Sequence, residues 1–468
     1  MTLPTAAGDL RLHDREGVLR HAEHLILEAW RSFDHARPTQ PPVGDEIRAL
    51  LTRPLPEGPS DARGCLDDAA RVLDVSIAQP RPRFFAYVGS SGLEIGVLGD
   101  ALMACHDVNV AVHAGGADLL ETQVVRWVGE FTGFGATDGL LASGGTVSNL
   151  TALCAARERA APGYRDRGGD GTWLTLYCSK EAHYSVKRAA EVLGIGGRNV
   201  RAIDTDGERR IDPAATAAAI DADLQAGAIP VSVVATTGTT LTGAVDDLDA
   251  LADVCAERGV WLHADGAYGL PAAAAPTAGR LFAGLERADS ATVDAHKWLY
   301  VPKACSVLLM RDPGALVRAF AHNESYMPHM ESEQAHAVDR TLEYSRPLRA
   351  LKLWLAFSVH GAAAIRDALE RNLRQARDLH AQLTERPDYE AVHRPQLSAV
   401  NFRHTPAGAQ DLDAHNARLA LRVQTDGRIY LAPSVVDGRS CLRACFVNYR
   451  TTDEDVHAIL DVLDDLSR

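Results

Sequence analysis

The spacing of apolar positions predicts a helical region at the start of the chain. Apolar side chains recur at helical intervals over residues 15–36, and prolines at 38, 41 and 42 then end the pattern. Residues 43–79 have the composition of further helices, and Pro80-Arg-Pro82 marks a boundary. We therefore interpret residues 1–80 as a helical arm.

The middle of the chain alternates between two hydrophobic periods. Helical patterns and short runs rich in β-branched residues follow one another, which predicts a mostly parallel sheet covered by helices on both faces. This is an α/β domain, which we place at residues 81–350. The predicted helices are 117–131, 146–160, 183–194, 212–226 and 246–258, and the predicted strands are 173–177, 231–235, 260–264, 289–293 and 306–310.

The last part of the chain has the pattern of a smaller domain. A long helical pattern over 350–385 precedes strand patterns near 397–403 and 441–447, and a final helix is predicted at 453–467. Residues 351–468 are thus expected to form a small α+β domain.

Composition narrows the class of protein. The 468 residues include 48 Lys and Arg against 62 Asp and Glu, a net charge of −14, which argues against nucleic acid or an anionic membrane as a partner. The eight cysteines contain no close C-x-x-C pair, so neither a zinc site nor a disulfide framework is predicted. With no signal peptide or apolar run of membrane-spanning length, we expect a cytoplasmic protein.

One glycine-rich segment has the features of an anion site. Ser143-Gly-Gly-Thr146 precedes a predicted helix, where glycines allow close backbone approach and free N–H groups attract an anion such as phosphate. The spacing matches neither a P-loop nor a dinucleotide-binding motif. Taken alone, the segment is better explained as an ordinary turn and helix cap.

Two charged residues could complete a cofactor site with this segment. Asp265 follows the apolar run 260–264, and at the end of a buried strand its carboxylate could keep a pyridine nitrogen protonated. Lys297 lies beside Trp298, where partial desolvation would favour the free amine needed for a Schiff base. Each residue by itself could simply be solvated. In this chain order on an α/β sheet, however, the three features are those needed to hold pyridoxal phosphate.

The same segments carry a family resemblance. Over residues 15–465 the sequence resembles the group II pyridoxal-phosphate decarboxylases of fold type I, which include aromatic amino acid, histidine and glutamate decarboxylases. The segments that carry it are Pro82-Arg-Phe-Phe-Ala-Tyr-Val88, Ser143-Gly-Gly-Thr-Val-Ser-Asn149, Ala182-His-Tyr-Ser185, Thr237-Gly-Thr-Thr240, Trp261-Leu-His-Ala-Asp-Gly-Ala-Tyr268, Asp294-Ala-His-Lys-Trp298 and Arg349-Ala-Leu-Lys-Leu-Trp354.

The resemblance implies roles for individual residues. It implies that Lys297 binds the cofactor aldehyde, that Asp265 pairs with the pyridinium nitrogen, and that the decarboxylation of an L-amino acid to its amine passes through a quinonoid intermediate. The other implied positions are His183 and Ala267 on the two ring faces, Gly144, Gly145, Thr146 and His296 near the phosphate, Thr240 near the substrate carboxylate or the cofactor phenolate, and Tyr326 as the loop residue that protonates Cα.

The resemblance also implies an assembly and a substrate pocket. Members are homodimers with shared active sites, and the arm is similar to the one that packs on the partner. Tyr87, Ser90 and Asn109 are expected to contact substrate, and Asn109 stands where aromatic amino acid decarboxylases have phenylalanine. This difference predicts a substrate pocket that is roomier and more polar. An equally good interpretation is that Asn109 is buried and forms hydrogen bonds with the backbone. Oxidation to an aldehyde, or elimination at Cβ, remains an alternative outcome on the same scaffold.

Overall fold

The computed structural model describes residues 10–12, 14–35, 42–111, 114–136, 138–322 and 336–467. Three helices form the N-terminal arm: α1 (Arg15–Phe33), α2 (Asp45–Thr52) and α3 (Ala62–Asp74). Asp14 caps α1 and Asp61 caps α3, each by accepting a backbone N–H of the first turn. Neither α1 nor α3 buries an apolar side chain within the protomer.

A seven-stranded sheet organises the large domain. Its elements are α4 (Glu94–His106), α5 (Gly116–Thr132), β1 (Asp138–Ala142), α6 (Gly145–Ala160), α7 (Tyr164–Arg167), β2 (Leu174–Ser179), α8 (Ser185–Val192), β3 (Val200–Ile203), α9 (Pro213–Gln225), β4 (Ile229–Thr236), α10 (Leu248–Arg258), β5 (Trp261–Asp265), β6 (Ser290–Val293), α11 (Ala295–Trp298), β7 (Ser306–Met310) and α12 (Ala315–Phe320). The strand order is β1-β7-β6-β5-β4-β2-β3.

The sheet is mostly parallel, as the alternating pattern predicts. Only β7 runs against its neighbours, pairing antiparallel with both β1 and β6. The other neighbouring strands pair in parallel. Because β1 and β6 both oppose β7, all strands except β7 end at the same edge, where open α/β sheets bind ligands.

Two apolar layers cover the sheet. One face packs against α5, α10 and the first half of α13, and the other face packs against α6, α8 and α12. Strands β2, β5, β6 and β7 are buried along their full length. Burial on both faces is typical of strands in a parallel sheet that helices cover on each side.

A second sheet forms the core of the small domain. Its elements are α13 (Ala350–Thr384), β8 (Tyr389–Ala391), β9 (Ala399–His404), α14 (Leu412–Asp426), β10 (Ala432–Val436), β11 (Arg439–Cys445) and α15 (Asp453–Ser467), and the antiparallel strands have the order β10-β11-β9-β8. Helix α13 bends at Gly361, whose positive φ of 75° suits glycine. The boundaries predicted at 80/81 and 350/351 stay predictions.

Within the ranges that the structure describes, no helix is both long and apolar enough to cross a membrane.

Candidate active site

The carboxyl edge of the large sheet brings the predicted site residues together. Asp265 is the last residue of β5, and Lys297 lies on the short helix that follows β6. His183 and Thr240 lie in the connections after β2 and β4, and Gly145 begins the helix after β1. Residues far apart in sequence therefore meet because parallel strands end at one edge.

These residues line one cavity of about 370 Å³. All nine residues predicted to bind the cofactor are in its wall: Gly144, Gly145, Thr146, His183, Thr240, Asp265, Ala267, His296 and Lys297. Asn149, Ser185, Thr236 and Lys303 also line it and were missed by sequence reasoning. The size suits a small organic ligand.

The start of α6 forms one end of the cavity. The backbone N–H groups of the first helical turn have no partner within a helix and carry partial positive charge, so they favour an anion. A Cβ atom on Gly145 would lie 2.9 Å from both the Ala267 Cβ and the Asp294 Oδ2. Only glycine therefore fits here without moving a neighbour, and the helix start stays accessible.

Lys297 faces a buried carboxylate. Its Nζ lies 2.9 Å from Oδ2 of Asp294, whose side chain is 3% exposed. The lysine amine thus lies beside the same carboxylate that borders Gly145 at the start of α6. His296 Nδ1 lies 2.9 Å from the Cys305 carbonyl oxygen, and burial lowers the pKa of His296, which favours a neutral ring. Lys303 shares the cavity, and burial together with Lys297 lowers its pKa.

Asp265 is held by two donors. Its Oδ2 accepts a hydrogen bond of 2.9 Å from Asn149 Nδ2, and its Oδ1 accepts one of 3.3 Å from the Ala267 backbone. Both oxygens keep a free lone pair. A buried, oriented carboxylate of this kind is what a protonated ring nitrogen needs as partner.

His183 lines the cavity from the segment just before α8. Its Nδ1 lies 2.9 Å from Ser185 Oγ and accepts a weaker bond of 3.3 Å from the Ser185 backbone N–H. Burial chiefly lowers the pKa of His183, and Lys297 adds to this while Asp265 opposes it. A neutral imidazole can lie against a ring without adding charge to it.

Arg443 reaches the cavity wall from the small domain. Its guanidinium donates to the Thr240 carbonyl oxygen at 2.8 Å and to the Ala86 carbonyl oxygen at 3.3 Å. The side chain thus ties β11 to the connection after β4. No local sequence signal identifies it, because its partners lie more than 200 residues away.

The predicted substrate residues lie outside this group. Tyr87 is 45% exposed, and Ser90 donates its hydroxyl to the Val301 carbonyl oxygen. Asn109 is exposed and is tied to the segment before α13, since its Oδ1 accepts from the Arg346 backbone at 3.1 Å. None of the three is in the wall of the 370 Å³ cavity. The Tyr326 prediction lies outside the described residues.

Comparison with known proteins gives a consistent match. The family model described as "Pyridoxal-dependent decarboxylase conserved domain" matches residues 44–405. The aromatic-L-amino-acid decarboxylase of Bacillus atrophaeus is 32% identical over 454 residues, covering 95% of this chain and 92% of that protein.

Solved structures agree over almost the whole chain. The crystal structure of Oryza sativa TDC with PLP and tryptamine superposes with a TM-score of 0.91 at 25% identity, covering 99% of each chain. Rhodiola rosea 4-hydroxyphenylacetaldehyde synthase superposes with a TM-score of 0.88 at 25% identity, covering 98% of each chain.

Fold, cavity and comparisons together define the class: a pyridoxal-phosphate enzyme of fold type I. The chain belongs to the pyridoxal-dependent decarboxylase family. The residues present suit the cofactor, because a glycine-started helix, an oriented buried carboxylate and a lysine share one cavity of fitting size. The predictions of family, fold, enzyme class and cofactor are confirmed.

Proposed function

We propose that this protein removes the α-carboxyl group of an L-amino acid as CO₂ and returns a proton to Cα, which gives the amine. The observation that carries the proposal is the convergence of Lys297, Asp265 and the start of α6 on one cavity. Pyridoxal phosphate, when bound, supplies an electron sink for the bond to the departing carboxyl group.

Several residues of this chain would hold the cofactor, each at a different part of it. Lys297 would anchor the cofactor, and Asp265 would keep its ring nitrogen protonated. Gly144, Gly145 and Thr146 would bind the phosphate through the helix start, while Asp294 would orient the Lys297 amine at 2.9 Å.

Two further residues would control where the proton goes. A neutral His183 would pack on one ring face opposite Ala267 and exclude water from it. Thr240 would contact the substrate carboxylate or the cofactor phenolate, and Tyr326 would donate the proton to Cα.

We infer that two copies of the chain assemble, with each active site completed by the partner. Asn109 is exposed and outside its own protomer's cavity, which supports a role at a shared site. The uncovered apolar stripe of the arm supports the same assembly. Tyr87, Ser90 and Asn109 would then border the substrate side chain.

Attachment of the cofactor is tested by borohydride reduction of the protein with pyridoxal phosphate, followed by digestion and mass spectrometry. We expect the adduct on Lys297 and none on Lys303, although both lysines line the cavity. Lys303→Ala should keep the adduct and Lys297→Ala should lose it. An adduct on Lys303 alone, or on neither lysine, refutes the proposed chemistry.

A second outcome is an aldehyde. The likeness to an aldehyde synthase at a TM-score of 0.88 favours testing it. In that reaction the amino acid, O₂ and water give the aldehyde, CO₂, ammonia and H₂O₂. A panel of L-amino acids should be assayed for CO₂, amine, aldehyde and peroxide. Amine with CO₂ supports our proposal, aldehyde with peroxide selects the alternative, and loss of a Cβ substituent without CO₂ indicates elimination.

A further inference from the structure

A buried chain of polar side chains lies behind Asp265. Trp261 Nε1 donates to Ser290 Oγ at 2.8 Å, and Ser290 Oγ lies 2.8 Å from His263 Nδ1. His263 Nε2 lies 3.0 Å from Asn149 Oδ1, and the Asn149 amide nitrogen reaches Asp265. His263 and Asp265 share a face of β5 because residues two apart in a strand point the same way. The first four of these side chains are at most 1% exposed.

The partners fix the direction of each hydrogen bond. The Asn149 amide nitrogen must face Asp265, because its oxygen there would meet a carboxylate that only accepts. The Asn149 oxygen therefore faces His263, whose Nε2 carries the hydrogen. Its Nδ1 then accepts from the Ser290 hydroxyl. Burial lowers the pKa of His263 to about 4, so the ring is neutral at physiological pH and has one hydrogen to place.

A second series of hydrogen bonds runs from Asn149 through Ser185 to His183. The second N–H of the Asn149 amide donates to Ser185 Oγ at 3.0 Å. The Ser185 hydroxyl then donates to His183 Nδ1 at 2.9 Å. The two amide hydrogens of Asn149 thus bind Asp265 and Ser185, which line the cavity from different elements.

We propose that Asn149, oriented by His263, is a positioning residue that fixes both the Asp265 carboxylate and the His183 ring relative to the cofactor ring. This inference rests on the proposed function and goes beyond it, because neither Asn149 nor His263 was assigned a role above. Without Asn149, the Asp265 carboxylate loses a hydrogen-bond donor and can rotate. The Ser185 hydroxyl then also loses the donor that directs its own hydrogen toward His183 Nδ1.

Cofactor binding by the apoprotein tests the proposal without any turnover. Pyridoxal phosphate is titrated into apoprotein while tryptophan fluorescence is followed. Asn149→Ala should bind about ten- to hundredfold more weakly, the effect of losing a hydrogen bond to a charged group. His263→Phe should also weaken binding. His263→Gln should bind nearly as wild type, because its amide can donate to Asn149 and accept from Ser290.

The pH midpoint of the bound cofactor's visible absorption band gives a second readout. It should shift in Asn149→Ala and His263→Phe, and stay in place in His263→Gln. Asn416→Ala is the matched control, since Asn416 is a fully buried asparagine in α14 that bonds to the His404 backbone and does not line the cavity. A purely structural role would lower thermal stability in all variants without moving the midpoint.

Each outcome has one meaning. Unchanged affinity and midpoint in folded Asn149→Ala overturn the positioning role. If Asn149→Ala does not fold, the comparison of His263→Phe with His263→Gln decides by the same two measurements. Failure of the wild-type protein to bind pyridoxal phosphate, or to form the Lys297 adduct, would instead refute the proposed function.

Discussion

At the scale of single residues, the site depends on glycine where the chain passes closest to other groups. A Cβ on Gly145 must displace the Ala267 Cβ or the Asp294 carboxylate, each 2.9 Å away. Gly145→Ala is therefore expected to weaken pyridoxal phosphate binding by about tenfold, a typical cost of overpacking. Fluorescence titration of the apoprotein measures this.

The matched control for that change is Gly116→Ala. Gly116 begins α5 as Gly145 begins α6, and an added Cβ there meets nothing within 4 Å. Its cofactor affinity should equal that of wild type. Equal affinities in the two variants would contradict the steric account of the helix start.

A second prediction at this scale concerns acid stability. Burial lowers the pKa of His263 to about 4, although Asp265 opposes the shift, and the unfolded value is about 6.5. Between pH 4 and 6.5 the unfolded chain binds more protons at this residue than the folded protein does. The free energy of unfolding therefore has its full value, with respect to His263, above pH 6.5 and decreases as the pH falls toward 4. The contribution is about 3 kcal/mol.

Urea unfolding of the apoprotein at several pH values checks this prediction. His263→Gln should lose stability less steeply than wild type between pH 6.5 and 4. Burial raises the pKa of Asp246 to about 7, so this residue makes the free energy of unfolding decrease as the pH rises. The wild type and His263→Gln both contain Asp246, so its effect cancels in the comparison. Parallel pH profiles for the two proteins would show that His263 does not titrate as its burial requires.

At the scale of elements, one buried ion pair joins α5 to the segment before α13. The Arg346 guanidinium contacts both carboxylate oxygens of Glu121, at 2.6 and 2.8 Å, with side chains 2% and 9% exposed. Arg346→Ala should destabilise the protein by about 3–5 kcal/mol because it leaves a buried carboxylate unpaired. The double variant Arg346→Met with Glu121→Leu should lose less. The stabilities are measured by urea unfolding. A larger loss of stability in the double variant than in Arg346→Ala would show that the unpaired carboxylate is not the cause.

The sequence predicted the buried elements best. The run 306–310 coincides with β7, and 260–264 is one residue from β5. Four strands were missed. β1 contains Gly139 and only a short apolar run, and β3 is a partly exposed edge strand. In the small domain, β8 has only three residues and β10 is partly exposed. Helix α8 begins two residues later than predicted, because His183 accepts the Ser185 backbone N–H and so precedes the first turn.

The candidate site was predictable to the extent that motifs carry it. The nine cofactor residues lie in recognisable segments and line one cavity. Asn149 ends one of those segments, but its role depends on His263 and Ser185, which only the fold brings beside it. Arg443 has no local signal at all, since its partners belong to the other domain.

At the scale of the whole molecule, the arm needs a covering surface. Helices α1 and α3 form a groove of about 860 Å³ whose wall includes Leu25, Ile26 and Leu66, and neither helix buries an apolar side chain in the protomer. Apolar surface left uncovered by a single copy favours association. We therefore expect a particle of twice the 50.3 kDa chain mass in solution.

Light scattering after size-exclusion chromatography tests the assembly and the place of the arm in it. Leu25→Glu should raise the dissociation constant of the dimer at least about tenfold, because a buried carboxylate without a partner costs more than 1.4 kcal/mol. Leu421→Glu is the control, a 63% exposed leucine on the small domain, and should leave the mass unchanged. A wild-type monomer at micromolar concentration would contradict the shared site, and a dimer insensitive to Leu25→Glu would move the interface away from the arm.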